Sequence, residues 1–133
     1  MAGIIELAEL LKTMEPVLHE AEYVFCTVSG RLEEYVALNP IATFQEPEGL
    51  TLIVEKAAAQ KYGLEFEGPF HQLTLTVHSS LDAVGLTAAV SRCLTEQGIS
   101  ANVVAAFYHD HIFVQTSHAQ AALSALTALA ASS

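Results

Sequence analysis

Basic residues are scarce in this chain: five lysines and arginines stand against fifteen aspartates and glutamates in 133 residues, a formal net charge of −10. Such a field repels a polyanion, so general binding to DNA or RNA is excluded as an expectation. Anionic membrane surfaces are disfavoured for the same reason. Cysteine is nearly absent too. Cys26 and Cys93 show no CxxC spacing, so two reduced thiols in a cytoplasmic protein are expected, without a disulfide framework. The opening stretch MAGIIELAELLKTMEP has acidic residues and no basic n-region; it reads as a helix, not as a signal peptide. No apolar run approaches the roughly 20 residues that a membrane span needs. There is no GxSxG elbow, no Walker A loop and no GxGxxG, which removes the local signatures of the commonest nucleophile and phosphate sites. The expectation is a protein that is not an enzyme and uses no cofactor.

What is abundant is apolar side chain. Hydrophobic residues make up 52% of the sequence, with a mean hydropathy of +0.39. A chain this small has much surface for its volume, so part of that apolar surface is expected inside a homodimer or larger assembly.

The pattern along the chain alternates short strands and helices. Ile4, Leu7, Ala8 and Leu11 recur at helical spacing, and Pro16 ends that helix. Residues 22–29 (EYVFCTVS) are rich in β-branched and aromatic side chains and read as a strand. A short helix is expected over 32–38. Two strands at 41–46 and 50–55 flank the turn EPEG and form a hairpin. A further short helix follows at 57–62. Gly68-Pro69 is the one strong break in the middle of the chain.

The pattern then starts again. In residues 70–78, Leu73, Leu75 and Val77 alternate with Thr74, Thr76 and His78, a half-buried strand. Residues 84–96 form an amphipathic helix with Leu86, Ala89, Val90, Cys93 and Leu94 on one stripe. Strands at 101–107 and 111–116 and a last helix at 119–130 complete the half. The second half therefore reads β-α-β-β-α and the first, from Glu22, reads β-(short α)-β-β-α-β. This is a degenerate repeat of about 60 residues in the pattern. The fold class expected is α+β, a ferredoxin-like βαββαβ sandwich built from two units in tandem.

One loop carries chemistry. In SSLDAVG, residues 79–85, an aspartate and a glycine stand at the mouth of a helix. A helix start exposes unpaired N–H groups and partial positive charge, a ready site for an anion. Gly85 has no Cβ, so a ligand has close access to the backbone, and Asp82 can pair with an ammonium. Together they match a zwitterion. Plain helix capping by Ser79, Ser80 or Asp82 explains the same residues, and the two readings are compatible. The other polar cluster is His109, Asp110 and His111, with His118 following. Such a set can hold zinc, but it falls at a hairpin turn far from both cysteines, and no metal is expected.

The second half resembles the ACT domain family, small-molecule-binding regulatory modules of amino-acid metabolism. The matching segments are LTLTV, SSLDAVG, LTAAVSRCLTEQ, GIS, ANVVAAF and HIFVQT. The whole chain is similar to small stand-alone bacterial proteins with two ACT-like units in tandem, here joined by EGPF. The resemblance implies an N-terminal helix and connection over 1–20, a truncated unit over 21–68 and a fuller unit over 69–133. The first unit departs from the family in having only GRLEEYVALNP where its first helix belongs. The resemblance points to the same loop as the ligand site. Carried over residue by residue, it implies Ser80, Leu81, Asp82, Val84, Gly85 and Leu86, with Asn102 at the start of the next strand, often across a domain interface. The function it implies is a cytoplasmic regulatory protein binding a small metabolite, with an amino acid the expected class. A ligand-free interaction or oligomerisation module remains the alternative.

Overall fold

The structure is a computed structural model that describes residues 6–77 and 85–133. Its elements run α1 (Leu7–Thr13), β1 (Pro16–Val28), β2 (Ala42–Glu46), β3 (Gly49–Glu55), α2 (Lys56–Lys61), β4 (Glu67–Leu75), α3 (Leu86–Glu96), β5 (Asn102–Ala105), β6 (Asp110–Gln115) and α4 (Ala119–Ala131). Two compact units result. One holds the described residues up to Glu20 and from His71 on; the other holds Ala21–Phe70. β1 and β4 each have residues in both units.

In the unit of residues 6–20 and 71–133 the strands follow the order β1-β4-β6-β5. Alternation decides the faces. Leu73, Leu75, Ile112 and Val114 point to one side, where they meet Leu10 of α1, Leu86, Val90 and Leu94 of α3, and Ala122 and Leu126 of α4. Burial of these side chains is the main stabilising term, about 1.5–3 kcal/mol for each large one. The order is that of a ferredoxin-like sheet. β4, α3, β5, β6 and α4 supply five of its six elements, and the start of β1 supplies the last strand. That strand comes from the N-terminal side of the chain, which is why the second half of the sequence shows only β-α-β-β-α.

The other unit follows β2-β3-β1-β4. β2 and β3 form the expected hairpin, with Phe44 opposite Thr51, and β3 pairs antiparallel with β1, Cys26 opposite Leu52. Val24, Cys26, Leu50, Leu52 and Val54 share one face with Ala59 of α2 and Leu38. Both units thus have the α+β ferredoxin-like architecture.

Two expectations change in detail and a third is met. β1 opens at Pro16, six residues before the expected strand at Glu22; proline is tolerated at the first residue of a strand, where a missing N–H costs no ladder bond. The short helix expected over 32–38 is two 3-10 turns, Leu32–Glu34 and Val36–Leu38, stopped by Asn39 at φ 51 and then Pro40. The extended course expected through Gly68-Pro69, from Glu65 onward, is present: β4 runs through it, with a cis peptide bond between the two. Gly68 has φ 137, and a Cβ there would come within 3.1 Å of the Tyr23 carbonyl oxygen, so glycine is required by both conformation and space.

Candidate functional site

Of the expected ligand residues, Ser80, Leu81, Asp82 and Val84 lie outside the described residues. Gly85, Leu86 and Asn102 lie within them. Gly85 is the N-cap residue of α3, at φ 102 and ψ −19, and its carbonyl accepts from Ala89 N at 2.9 Å. That left-handed conformation is one that L side chains avoid. The space beside its missing Cβ is not open: the Leu7 side chain of α1 would stand 3.1 Å from it. Leu86 is a core residue, 4% exposed. What these two positions present to a ligand is therefore backbone N–H at the start of an eleven-residue helix.

Asn102 begins β5 and is exposed. Its Nδ2 donates to the Phe113 carbonyl at 3.1 Å, and Phe113 is its register partner on β6. β4 finishes at the other end of this hairpin, where His109 Nδ1 lies 3.4 Å from the Val77 carbonyl and Ala105 pairs with Asp110. Asn102 stands three residues back along β5, roughly 10 Å. Within one chain, Asn102 is thus well removed from the end where β4 hands over to residues 78–84.

The His109–His111 cluster forms part of something larger that sequence reasoning missed. On the sheet face opposite Leu73 and Leu75, Thr74 is 7% exposed. Its Oγ1 lies 2.8 Å from His19 Nε2 and 2.9 Å from His111 Nδ1. Gln72 Nε2 also reaches His111 Nδ1 at 3.0 Å. The Thr74 alternation was visible in the sequence. Its partners 55 and 37 residues away were not. Burial pushes the Asp110 carboxyl up, and the neighbouring His111 and His109 pull it back down. Among the described residues no group of three or more His, Cys, Asp or Glu is arranged to hold a metal ion.

Two surface depressions complete the candidates. One, of about 510 Å³, lies between α3 and α4, lined by Ala89, Cys93, Ala125 and Leu129 with Arg92 and Glu96 beside it. The other, of about 590 Å³, is in the Ala21–Phe70 unit, with Phe25, Leu64 and Phe66 alongside Glu65 and Glu67. Cys93 donates weakly to the Ala125 carbonyl at 3.5 Å. Burial pushes the thiols of both Cys93 and Cys26 above their usual range, the opposite of what an activated nucleophile needs. No helix among the described residues is long and apolar enough to cross a membrane.

Comparison with known families decides what these elements are. Two ACT domain models match in tandem, one over residues 2–71 and one over 67–128. The chain belongs to the ACT domain family. It is similar to a crystal structure of a protein of unknown function from Vibrio cholerae, described as a possible transport protein. That match has 58% identity, covers 93% of this chain and 95% of that one, and has a TM-score of 0.87. A protein from Agrobacterium tumefaciens matches at 13% identity over 88% and 89% of the two chains, TM-score 0.74. The regulatory subunit of aspartate kinase from Thermus flavus matches at 12% identity over 86% and 96%, TM-score 0.67. The last two likenesses are of fold. No curated protein matches the sequence.

Proposed function

We propose that this tandem ACT protein is a regulatory binder of a small metabolite, an amino acid being the class that fits. The observation that carries the reading is the start of α3 in the second ACT match. There Gly85 in a left-handed conformation opens an eleven-residue helix, three positions after Asp82 in the sequence Ser80-Leu81-Asp82-Ala83-Val84-Gly85. The helix amides suit a carboxylate and Asp82 suits an ammonium. Asn102 belongs to the same site but comes from a second copy, because within one chain it sits down β5 from the end of β4. The protein is accordingly a homodimer or larger. It works in the cytoplasm, without catalysis, nucleic acid or membrane.

A thermal-shift screen against the amino acids tests this. A ligand that binds the folded state raises the melting temperature by mass action, about 2.7 kcal/mol at one hundred times Kd. At least one amino acid is expected to do so. If none does, a docking or oligomerisation module without ligand takes its place.

A further inference from the structure

The polar side chains on the sheet face opposite Leu73 and Leu75, in the unit of residues 6–20 and 71–133, are joined across three strands. His19 on β1, Thr74 and Gln72 on β4, and His111 on β6 stand opposite the core-facing Leu18, Leu73, Leu75 and Ile112. Donor and acceptor roles can be assigned along the set. The amide nitrogen of Gln72 can only donate, so the His111 Nδ1 it faces at 3.0 Å must accept, and the ring proton sits on Nε2. The Thr74 hydroxyl, 2.9 Å from the same Nδ1, then donates to it as well. That leaves the Thr74 oxygen to accept from His19 Nε2–H at 2.8 Å. Two of the three bonds converge on one unprotonated nitrogen, and the third ends on the hydroxyl that serves it.

We infer that these four side chains form an acid-sensitive latch across β1, β4 and β6, closed while His111 is neutral and released when it takes a proton. A proton on Nδ1 would face two donors and no acceptor. The Gln72 amide would have to turn over, and the Thr74 oxygen would have to accept from His111 and His19 at once, its own proton turned away from both rings. The surroundings weigh against the charge. His19 faces His111 from β1, and His109 and Asp110 flank it on its own strand and turn. β4 contributes only uncharged Thr74 and Gln72, and the register partner on β5 is Val104. Burial lowers the His111 imidazole below its ordinary range; His109 and His19 lower it further, and Asp110 opposes them.

The sign follows from linkage. A histidine whose folded affinity for protons is depressed contributes its full stability above the unfolded value, near 6.5. That contribution is lost as the pH falls from there through its lowered folded value. Asp110, pushed up by burial, acts in the opposite sense.

The test is a proton NMR titration of the six histidines of the full chain from pH 8 to pH 5, paired with melting temperatures of the parent and His111→Gln. His111 is expected to titrate below the ordinary histidine range. The backbone amides of Gln72 and Thr74 should shift with the same midpoint. The parent should lose several degrees of melting temperature over that range, and His111→Gln should lose clearly less. The NMR arm needs no variant, so it stands even if His111→Gln folds poorly. An ordinary His111 midpoint, or Gln72 and Thr74 amides that ignore it, would overturn the latch. So would an undiminished loss in a folded His111→Gln.

Discussion

Leu7 Cδ2 lies 3.1 Å from the point where a Cβ on Gly85 would stand, so the first helix of the chain packs directly against the residue that opens α3. Two costs would follow from a side chain at position 85: the left-handed backbone at φ 102, and contact with Leu7. The second is small, because the contact is with the far end of a flexible side chain. Gly85→Ala is therefore expected to destabilise the protein by about 1–2 kcal/mol, the backbone cost for an L residue. Adding Leu7→Ala should give no rescue. Urea denaturation of the single and double variants checks this; recovery in the double variant would mean that packing, not conformation, selects glycine here.

Thr74→Val keeps the shape and removes the hydroxyl between His19 and His111. Two ring nitrogens then lose their shared partner in a half-buried setting. A loss of about 1–3 kcal/mol is expected, with Thr74→Ser much closer to the parent. Denaturant midpoints at pH 7.5 measure it. Equal losses for valine and serine would point to the methyl group instead.

Leu94→Ala removes a fully buried side chain that packs between α3 and the strands β4 and β6. Its expected cost is about 2–5 kcal/mol, read from the same denaturation curves. A loss well under 1 kcal/mol would show that the core around α3 is looser than its burial implies.

The repeat, the α+β class and the core faces were legible because they rest on short-range periodicity. Leu73, Leu75 and Val77 alternate, and Leu86, Val90 and Leu94 recur at helical spacing; each pattern records one buried face. The start of β1 was not legible, since residues 16–20 mix proline, histidine and glutamate and carry no alternation strong enough to outweigh Pro16. The extended passage of β4 through Gly68-Pro69 was legible, but the pressure for glycine there was not, because it comes from Tyr23 and Val24 on another strand. The His19–Thr74–His111 set is three strands wide, and no local window contains it. At the candidate site, Leu86 was legible as a core position from its stripe, but the Leu7 contact that occupies one side of Gly85 was not.

If Asn102 completes the site from a second copy, two defective variants should complement each other. Asp82→Ala and Asn102→Ala homodimers are each expected to bind the amino acid found by the screen about ten- to a hundredfold more weakly. After mixing and subunit exchange, mixed dimers regain one intact site, so parent-like affinity should return at reduced stoichiometry. Titration calorimetry on the mixture reads it. No recovery after verified exchange would place Asn102 outside the site.

Calorimetric titration of that amino acid into the parent and Asp82→Ala, with melting curves on both, tests the central claim most directly. Losing a charge-assisted hydrogen bond costs about 1.5–3 kcal/mol, so the variant should bind about ten- to a hundredfold more weakly with a melting temperature near the parent's. A variant that melts lower yet binds as tightly as the parent would make Asp82 a helix cap worth about 1 kcal/mol and contradict the binding loop.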